Sequence, residues 1–369
     1  MAKSDSFRPR DAFAMVTPNA SAPNASAPNA SAPNAPVSAP SSVNSPNAVN
    51  AVSLLQNPLP WLRAFWQFSR PHTIVGTSLS VLGLFAVAWA TRHPAGANPA
   101  TLHIWGGMAA LLLTWLSCLC GNVYIVGLNQ LEDVEIDRIN KPHLPLASGA
   151  FSRSQGVLLV ALALLAAMAL AGLSQSLYLI ATVWISIAIG TAYSLPPIRL
   201  KRFPLWASVC ILSVRGAVVN LGLYLHASHQ LGLRPTVPLR VWALTLFVLV
   251  FSFAIAIFKD IPDIEGDRRY GIETFSLRMG QQGVFNLARW VLTACYLGMI
   301  ALTPWLSGVN AVFLLVSHAG LLIFFWQQSH RVQLGAVGDG SLSYPEFYQF
   351  IWKLFFIEYL IFPAACLLS

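Results

Sequence analysis

Residues 129–142 read Asn-Gln-Leu-Glu-Asp-Val-Glu-Ile-Asp-Arg-Ile-Asn-Lys-Pro, and they follow directly on a long apolar run. A second acidic stretch, Lys-Asp-Ile-Pro-Asp-Ile-Glu-Gly-Asp-Arg-Arg, occupies residues 259–269 at the end of another apolar run. Eight of the chain's 14 Asp and Glu residues lie in these two stretches. Carboxylates are costly beside hydrocarbon, so their concentration at two membrane edges indicates a functional site.

The rest of the chain has the composition of a membrane protein. Of its 369 residues, 56% are hydrophobic and only 10% are charged. Apolar runs of about 20 residues recur, which is the length that crosses a bilayer core as a helix. Barrel strands would alternate polar and apolar residues, and these runs do not. The sequence therefore predicts an all-α polytopic membrane protein and excludes an ordinary soluble domain. Its nine predicted spans cover roughly residues 72–91, 105–128, 154–173, 177–195, 205–227, 240–258, 284–303, 309–328 and 347–368.

The basic residues predict the topology. The net charge is +8, and Lys and Arg cluster at the ends of the apolar runs. With the amino terminus in the cytoplasm, most Lys and Arg of the short loops fall on the cytoplasmic side, as is usual in membrane proteins. Both acidic stretches then face the cytoplasm. The basic charge therefore does not indicate nucleic acid, and the sequence implies no obligate protein partner. The five cysteines form no Cys-x-x-Cys pair and are interpreted as core residues.

The first 55 residues differ from the rest. They repeat Pro-Asn-Ala-Ser-Ala and are rich in Pro, Asn, Ala and Ser, a composition that predicts a disordered tail. A transit peptide is the less favoured alternative because Asp5 and Asp11 are present. Residues 56–369 form the predicted membrane domain. Within it, Trp61–His72 has an amphipathic pattern typical of a segment lying on the membrane surface.

The carboxylates of the two acidic stretches repeat one spacing. They are Asp133 and Asp137 in the first stretch, and Asp263 and Asp267 in the second. On a helix continuing from the second span, Asp133 and Asp137 share a face, with Asn129 one turn earlier; Asp260 precedes Asp263 in the same way. Like charges at this spacing repel and need a cation. Because the ligands are hard oxygens, the predicted cation is Mg²⁺, with a substrate diphosphate held between the two stretches.

Basic residues are predicted at the same face, where they would contact phosphate oxygens. They are Arg138, Lys141, Arg199, Lys201, Lys259 and Arg268. The alternative for each is that it only sets topology. Lys259 is the strongest candidate because it adjoins Asp260 at the end of a span.

These motifs resemble those of a known family. The stretch from Asn129 to Gly149, together with residues 258–267, is similar to the UbiA superfamily of intramembrane prenyltransferases, and within it to the homogentisate prenyltransferases, the phytyltransferase branch included. Residues 193–201 resemble the loop between the family's fourth and fifth spans. Chlorophyll synthase, a close relative, has Glu-Pro where this chain has Lys141-Pro142. Glu132 departs from the aromatic residue common in tocopherol-type members, and no effect on metal binding is expected.

The resemblance implies nine helices around a central cavity and Mg²⁺-dependent transfer of a prenyl group, of the phytyl type, from its diphosphate to homogentisate with decarboxylation, in tocopherol or plastoquinone synthesis. Alternatives are another acceptor, such as chlorophyllide or 4-hydroxybenzoate, and a cation transporter. The expected catalytic residues are Asn129, Asp133, Asp137, Lys259, Asp263 and Asp267; the four named aspartates would hold metal. The expected substrate-binding residues are Arg70, Arg138, Tyr193, Arg199, Lys201, Arg215 and Asp260.

Two arginines are candidates for the acceptor's carboxylate, Arg70 and Arg215. Arg215 lies midway along the fifth predicted span, where a lone charge is functional by default. The alternative for Arg215 is an ion pair with Glu358. The expected location is the inner or thylakoid membrane of a photosynthetic bacterium, with the amino terminus and the active site on the cytoplasmic side.

Overall fold

The structure is a computed structural model that describes residues 54, 56–92, 104–259, 261, 264–270, 274–332 and 343–369. The predicted tail, residues 1–55, lies outside these residues except for position 54. Every regular element in the described part is helical. The helices are α1 (Pro58–Phe68), α2 (Pro71–Arg92), α3 (Ile104–Glu132), α4 (Val134–Asn140), α5 (Arg153–Leu173), α6 (Leu177–Ser194), α7 (Pro204–Leu212), α8 (Val219–Gln230), α9 (Leu239–Lys259), α10 (Ile264–Arg269), α11 (Phe275–Leu302), α12 (Ala311–His330) and α13 (Tyr344–Leu367).

Local signals fix where several helices begin. Pro stands in the first turn of α1, α7 and α13, where its missing N–H is not needed. The helix α5 begins with a capping box, in which the Ser152 hydroxyl accepts from the Gln155 backbone and the Gln155 side chain accepts from Ser152. Ser343 and Glu346 make the equivalent box at α13. Such caps satisfy backbone groups that the helix itself leaves open.

Nine segments of the described chain are long and apolar enough to cross a membrane, as predicted. The helix α7, a π-helical segment (Ser213–Val218) and α8 together form one of them, Pro204–Gln230. One boundary differs markedly from the prediction. The helix α11 begins at Phe275 instead of residue 284, and it is kinked at Gly280, whose φ of 74° is left-handed. The predicted start at residue 284 therefore missed the first turns of α11, which belong to the apolar segment Phe275–Trp305.

The amphipathic segment is also shorter than expected. The sequence predicted one element from Trp61 to His72, but α1 ends at Phe68 and α2 begins at Pro71. The break falls at Arg70, which adopts a left-handed φ of 53° immediately before the proline. One face of α1 buries Phe68 against the Phe151 ring, while Leu59 on the other face is 77% exposed.

The spans pack side by side, and the first span contacts the last. The helix α2 contacts α3, α8 and α13, so the first and last spans of the chain are neighbours. The helix α3 packs on α5 and α6, and α9 packs on α11 and α13. The helix α9 is the most enclosed span, with 72% of its apolar window buried. This arrangement brings the ends of α3, α6 and α9, which carry the predicted site residues, into one bundle.

Candidate active site

The first acidic stretch is not one continuous helix. The helix α3 ends at Glu132, and Asp133, with φ −113° and ψ 17°, separates it from the short helix α4. The predicted single helix through Asp137 is therefore wrong. The backbone N–H of Asp137 still donates to the Asp133 carbonyl at 2.7 Å, so one turn joins the two residues. At this bend the Asp133 carboxylate contacts side chains from distant parts of the chain.

Three side chains donate to the Asp133 carboxylate, and a fourth is linked to it through one of them. Its Oδ1 accepts from Arg199 Nη2 at 3.0 Å, and its Oδ2 accepts from Lys201 Nζ. Oδ2 also accepts from Asn129 Nδ2 at 2.9 Å, one helical turn earlier. Asn129 Oδ1 in turn accepts from Arg70 Nη2 at 3.3 Å. We call Arg70, Asn129, Asp133, Arg199 and Lys201 the Asp133 cluster; it joins the first and second spans to the loop after α6.

The conformation of the loop after α6 brings Arg199 and Lys201 to the Asp133 carboxylate. Arg199 has a left-handed φ of 38°, and a short 3₁₀ turn, Leu200–Arg202, follows it. Lys201 is buried, with 6% of its side chain exposed, and the Asp133 side chain is 12% exposed. Burial lowers the pKa of the Lys201 ammonium, and the Asp133 carboxylate opposes that shift because it stabilises the charged form. The result is a desolvated group of positive charges around one carboxylate.

The other predicted residues that the structure describes make contacts different from those of the Asp133 cluster. Asp137 is buried, with 5% exposure, on α4. Arg138 forms an ion pair with Glu135 at 2.7 Å, and both side chains are more than half exposed. Tyr193 is partly exposed in the last turn of α6, and Lys259 is partly exposed at the end of α9. The Arg138 side chain is thus exposed, and its ion pair is with Glu135 and not with the Asp133 cluster.

The second acidic stretch is only partly described. Asp260 and Asp263 lie outside the described residues, and so does the side chain of Asp267. The helix α10, which contains Asp267, packs directly on α4. A cavity of about 620 Å³ lies between these elements and is lined by Arg138, Arg199 and Tyr270 among others. The two acidic stretches are therefore neighbours at the same end of the bundle, as the sequence predicted.

The alternative interpretation of Arg215 is wrong. Glu358 does not pair with Arg215; its Oε2 lies 3.2 Å from His318 Nε2, and both side chains are at most 1% exposed. Arg215 instead stacks its guanidinium over Trp352, 4.7 Å from the ring centroid, and over Phe355 at 5.5 Å. The sequence pattern predicts that Arg215 and Glu358 both lie within spans. It does not predict whether the two side chains face each other, because that depends on how the helices cross.

Sequence reasoning missed several polar residues inside the spans. Asn220 donates to the carbonyls of Arg215 and Gly216 at 3.1 and 2.7 Å, and the Tyr359 hydroxyl donates to Asn220 Oδ1 at 2.9 Å. His72 lies with its ring 4.7 Å from that of Trp352. The one available signal was the type of residue: Asn and His are costly in an apolar span unless they have a partner or a function.

Comparison with known proteins identifies the family. The profile of the UbiA prenyltransferase family matches residues 79–354, which is most of the chain. The chain belongs to the UbiA prenyltransferase family. This agrees with the resemblance of the two acidic stretches, and it makes the Asp133 cluster a candidate active site of a UbiA enzyme.

Individual UbiA relatives place the chain in a branch. It is 52% identical over 305 residues to the homogentisate phytyltransferase of Synechocystis sp., covering 82% of this chain and 96% of that protein. It is 39% identical to the homogentisate geranylgeranyltransferase of Triticum aestivum, covering 82% and 72%. Among solved structures, a UbiA homolog from Archaeoglobus fulgidus bound to GPP and Mg²⁺ aligns with a TM-score of 0.54 at 15% identity, covering 82% and 99%. That similarity establishes the shared fold.

Proposed function

We propose that this protein transfers a prenyl group from an allylic prenyl diphosphate to homogentisate, with loss of the acceptor's carboxylate, in a divalent-metal-dependent reaction. The identity of 52% to a homogentisate phytyltransferase supports the acceptor and favours phytyl as the prenyl group. The structural observation that carries the proposal is the Asp133 carboxylate, held by Arg199 and Lys201. It lies beside a second acidic helix at the same end of the bundle.

The residues present fit a Mg²⁺ site. Asp133 and Asp137 supply oxygen ligands one turn apart, and the packing of α10 on α4 brings the second acidic stretch to them. Hard oxygen ligands with room for phosphate oxygens are what Mg²⁺ requires. The metal-holding residues we propose are Asp133, Asp137, Asp263 and Asp267, and Mg²⁺ when bound would neutralise charge on the leaving diphosphate. The GPP and Mg²⁺ bound by the Archaeoglobus homolog support this choice.

The cations of the Asp133 cluster would bind the diphosphate. Arg199 and Lys201 now share the Asp133 carboxylate, and a diphosphate entering beside that carboxylate presents the same kind of anionic oxygen. Arg70 orients Asn129, and Asn129 orients Asp133. We assign Arg138, Tyr193, Lys259 and Asp260 to the outer part of the same substrate site. Preorganised charges of this kind act on the charge that develops as the diphosphate leaves.

The reaction then proceeds in the apolar interior. The C–O bond of the allylic diphosphate breaks and its electron pair leaves with the diphosphate. A ring carbon of the acceptor attacks the allylic cation, and that carbon's hydrogen leaves as a proton. The acceptor's carboxylate departs as CO₂, and its side-chain carbon gains a proton. The surrounding spans exclude water, which would otherwise capture the cation.

We infer the membrane side of the site from charge. Nine apolar segments make the protein an integral membrane protein. The basic residues beside the acidic stretches favour the cytoplasmic side for this end of the bundle, and the cyanobacterial and plant relatives suit a photosynthetic membrane.

The test is an assay of membranes containing the full chain. Homogentisate is offered with phytyl, geranylgeranyl or solanesyl diphosphate, with and without Mg²⁺, and products are identified by mass. We expect a prenylated, decarboxylated quinol that requires the metal. Asp133→Asn is expected to lower turnover by roughly 10²–10³-fold, the usual loss for one preorganised electrostatic group. Glu132→Gln, at the adjacent position, serves as the control and should retain activity. Near-normal turnover by Asp133→Asn would refute the proposed metal-binding role of Asp133. Absence of any prenylated product from the wild-type protein would refute prenyl transfer.

A further inference from the structure

Arg215 is a charged residue with no compensating partner among the residues that the structure describes. It lies near the middle of the span Pro204–Gln230 and is partly exposed. Within the described residues its guanidinium makes no hydrogen bond or ion pair; its recorded contacts are the faces of Trp352 and Phe355. A guanidinium has five N–H donors, and leaving them without acceptors in an apolar interior is costly. This position therefore suits an anion that arrives with a ligand.

A second unsatisfied donor lies beside Arg215. The indole Nε1 of Trp352 is buried and has no hydrogen-bond acceptor in the described part of the chain. Trp352 therefore has two roles beside Arg215. Its ring face lies under the guanidinium, and its indole N–H has no acceptor among the described residues. His72 adjoins Trp352, with its own ring 4.7 Å from the Trp352 ring and its side chain exposed. Rings and N–H donors together suit an aromatic ligand that carries a carboxylate.

The backbone around Arg215 has an uncommon shape. Residues 213–218 form a π-helical turn, a local widening often found at functional sites. The wider turn alters the helix's own hydrogen bonding, and the Asn220 amide donates to the carbonyls of Arg215 and Gly216. Gly216 allows α9 to approach closely, since a Cβ there would lie 2.9 Å from the Leu249 Cα. The Tyr359 hydroxyl, from α13, donates to Asn220 and fixes the amide.

The two candidate arginines have different partners. Arg70 is bound to Asn129, which holds Asp133, so Arg70 belongs to the diphosphate end. Among the described residues, Arg215 makes no hydrogen bond or ion pair with that cluster; it stacks on Trp352 and Phe355. Building on the proposed prenyl transfer, we propose that Arg215 binds the carboxylate of the aromatic acceptor, with Trp352 beneath it. Asn220 and Tyr359 are positioning residues that hold the π-helical turn so that the guanidinium faces the acceptor.

The direct test uses Arg215→Gln in membranes, with steady-state rates measured while homogentisate and prenyl diphosphate are varied separately. Loss of a charge-assisted hydrogen-bond pair raises KM for homogentisate by roughly 10- to 100-fold, and KM for the prenyl diphosphate stays unchanged. Arg215→Lys, which keeps the charge, recovers part of the loss. Arg289→Gln is the matched control, since Arg289 also stacks on two rings, Phe285 and Trp326, in another part of the bundle.

The positioning role is tested with Tyr359→Phe, which removes only the hydroxyl. Its expected effect is a several-fold rise in KM for homogentisate with little change in KM for the diphosphate. Tyr296→Phe is the control, because Tyr296 is also fully buried but its hydroxyl has no hydrogen-bond partner within the described residues. A quinol acceptor that lacks the carboxylate provides a second measurement: wild type and Arg215→Gln should use it equally.

The outcomes separate the two proposals. If wild-type membranes prenylate homogentisate but Arg215→Gln leaves its KM unchanged, the assignment of Arg215 is overturned and prenyl transfer stands. If Arg215→Gln raises KM for the prenyl diphosphate instead, the guanidinium serves the leaving group and the assignment is again overturned. If wild type forms no product with any prenyl diphosphate, the proposed function itself fails. Equal effects of Tyr359→Phe and Tyr296→Phe would refute the positioning role.

Discussion

The buried pair His318–Glu358 gives a quantitative prediction about stability. His318 Nδ1 lies 2.9 Å from the Leu314 carbonyl, which only accepts, so Nδ1 carries a hydrogen. The contact of 3.2 Å between His318 Nε2 and Glu358 Oε2 then needs one further proton, held by either residue. Whichever residue holds that proton, the pair has no net charge. This explains how two ionisable side chains with at most 1% exposure are accommodated in the bundle.

Removing one member of this pair leaves the other uncompensated. Breaking a buried pair costs roughly 3–5 kcal/mol, whereas replacing both members by apolar residues is often neutral or stabilising. His318→Leu and Glu358→Leu should therefore each destabilise strongly, and the double variant should be close to wild type. At about 2–4 °C per kcal/mol, each single variant is expected to lower Tm by roughly 6–20 °C.

Thermal unfolding in detergent provides the assay. Cys210, Cys295 and Cys366 are buried free cysteines, so a thiol-reactive fluorophore reports their exposure on unfolding without any introduced cysteine. The double-mutant cycle isolates the interaction between the two side chains. If the double variant loses as much stability as the two single variants added together, the pair is not coupled and the reasoning is wrong.

Other predictions test separate features of the structure. Gly216→Ala should cost about 1–3 kcal/mol through overpacking against Leu249, while Gly172→Ala, with open space around its Cβ, should be neutral or stabilising; melting temperatures decide this, and equal effects would contradict it. Arg240→Gln should lower Tm because Arg240 Nη2 donates to Thr91 at 2.7 Å and Nη1 donates to the loop after α11; an unchanged Tm would contradict that role. Chelation of divalent metal should abolish prenyl transfer, and added Mg²⁺ should restore it; full activity in chelator would refute the metal requirement. A chain lacking residues 2–55 should keep wild-type turnover in the same assay, and a correctly inserted but inactive truncate would contradict this.

The spans were predictable because every segment that crosses the bilayer must satisfy its own backbone hydrogen bonds. An apolar run of sufficient length must be helical in hydrocarbon, whatever it later packs against. The pairing of the two acidic stretches was predictable for a similar reason, since isolated like charges at a membrane edge need a shared counter-ion.

The details that failed depend on partners far along the chain. The bend at Asp133 accompanies contacts with Arg199 and Lys201, more than 60 residues away. The partner of Glu358 is set by how α12 and α13 cross, which hydropathy does not encode. Asn220 connects the π-helical turn to Tyr359 on α13. Each of these is a tertiary contact that overrides a local pattern.

The helix α9 combines two properties that usually separate. Its mean hydropathy of 2.6 matches the highest among the spans, yet it is the one most covered by neighbouring helices. Hydropathy is sufficient to place such a segment in lipid during synthesis, but in the finished bundle its side chains meet protein instead of acyl chains. Exchanges among Leu, Ile, Val and Phe in α9 will therefore preserve membrane insertion but will lower stability where the new side chain does not fit its neighbours. Tolerance to substitution along α9 should resemble that of a soluble protein's interior, and variation should concentrate on α12, where only 17% of the span is covered.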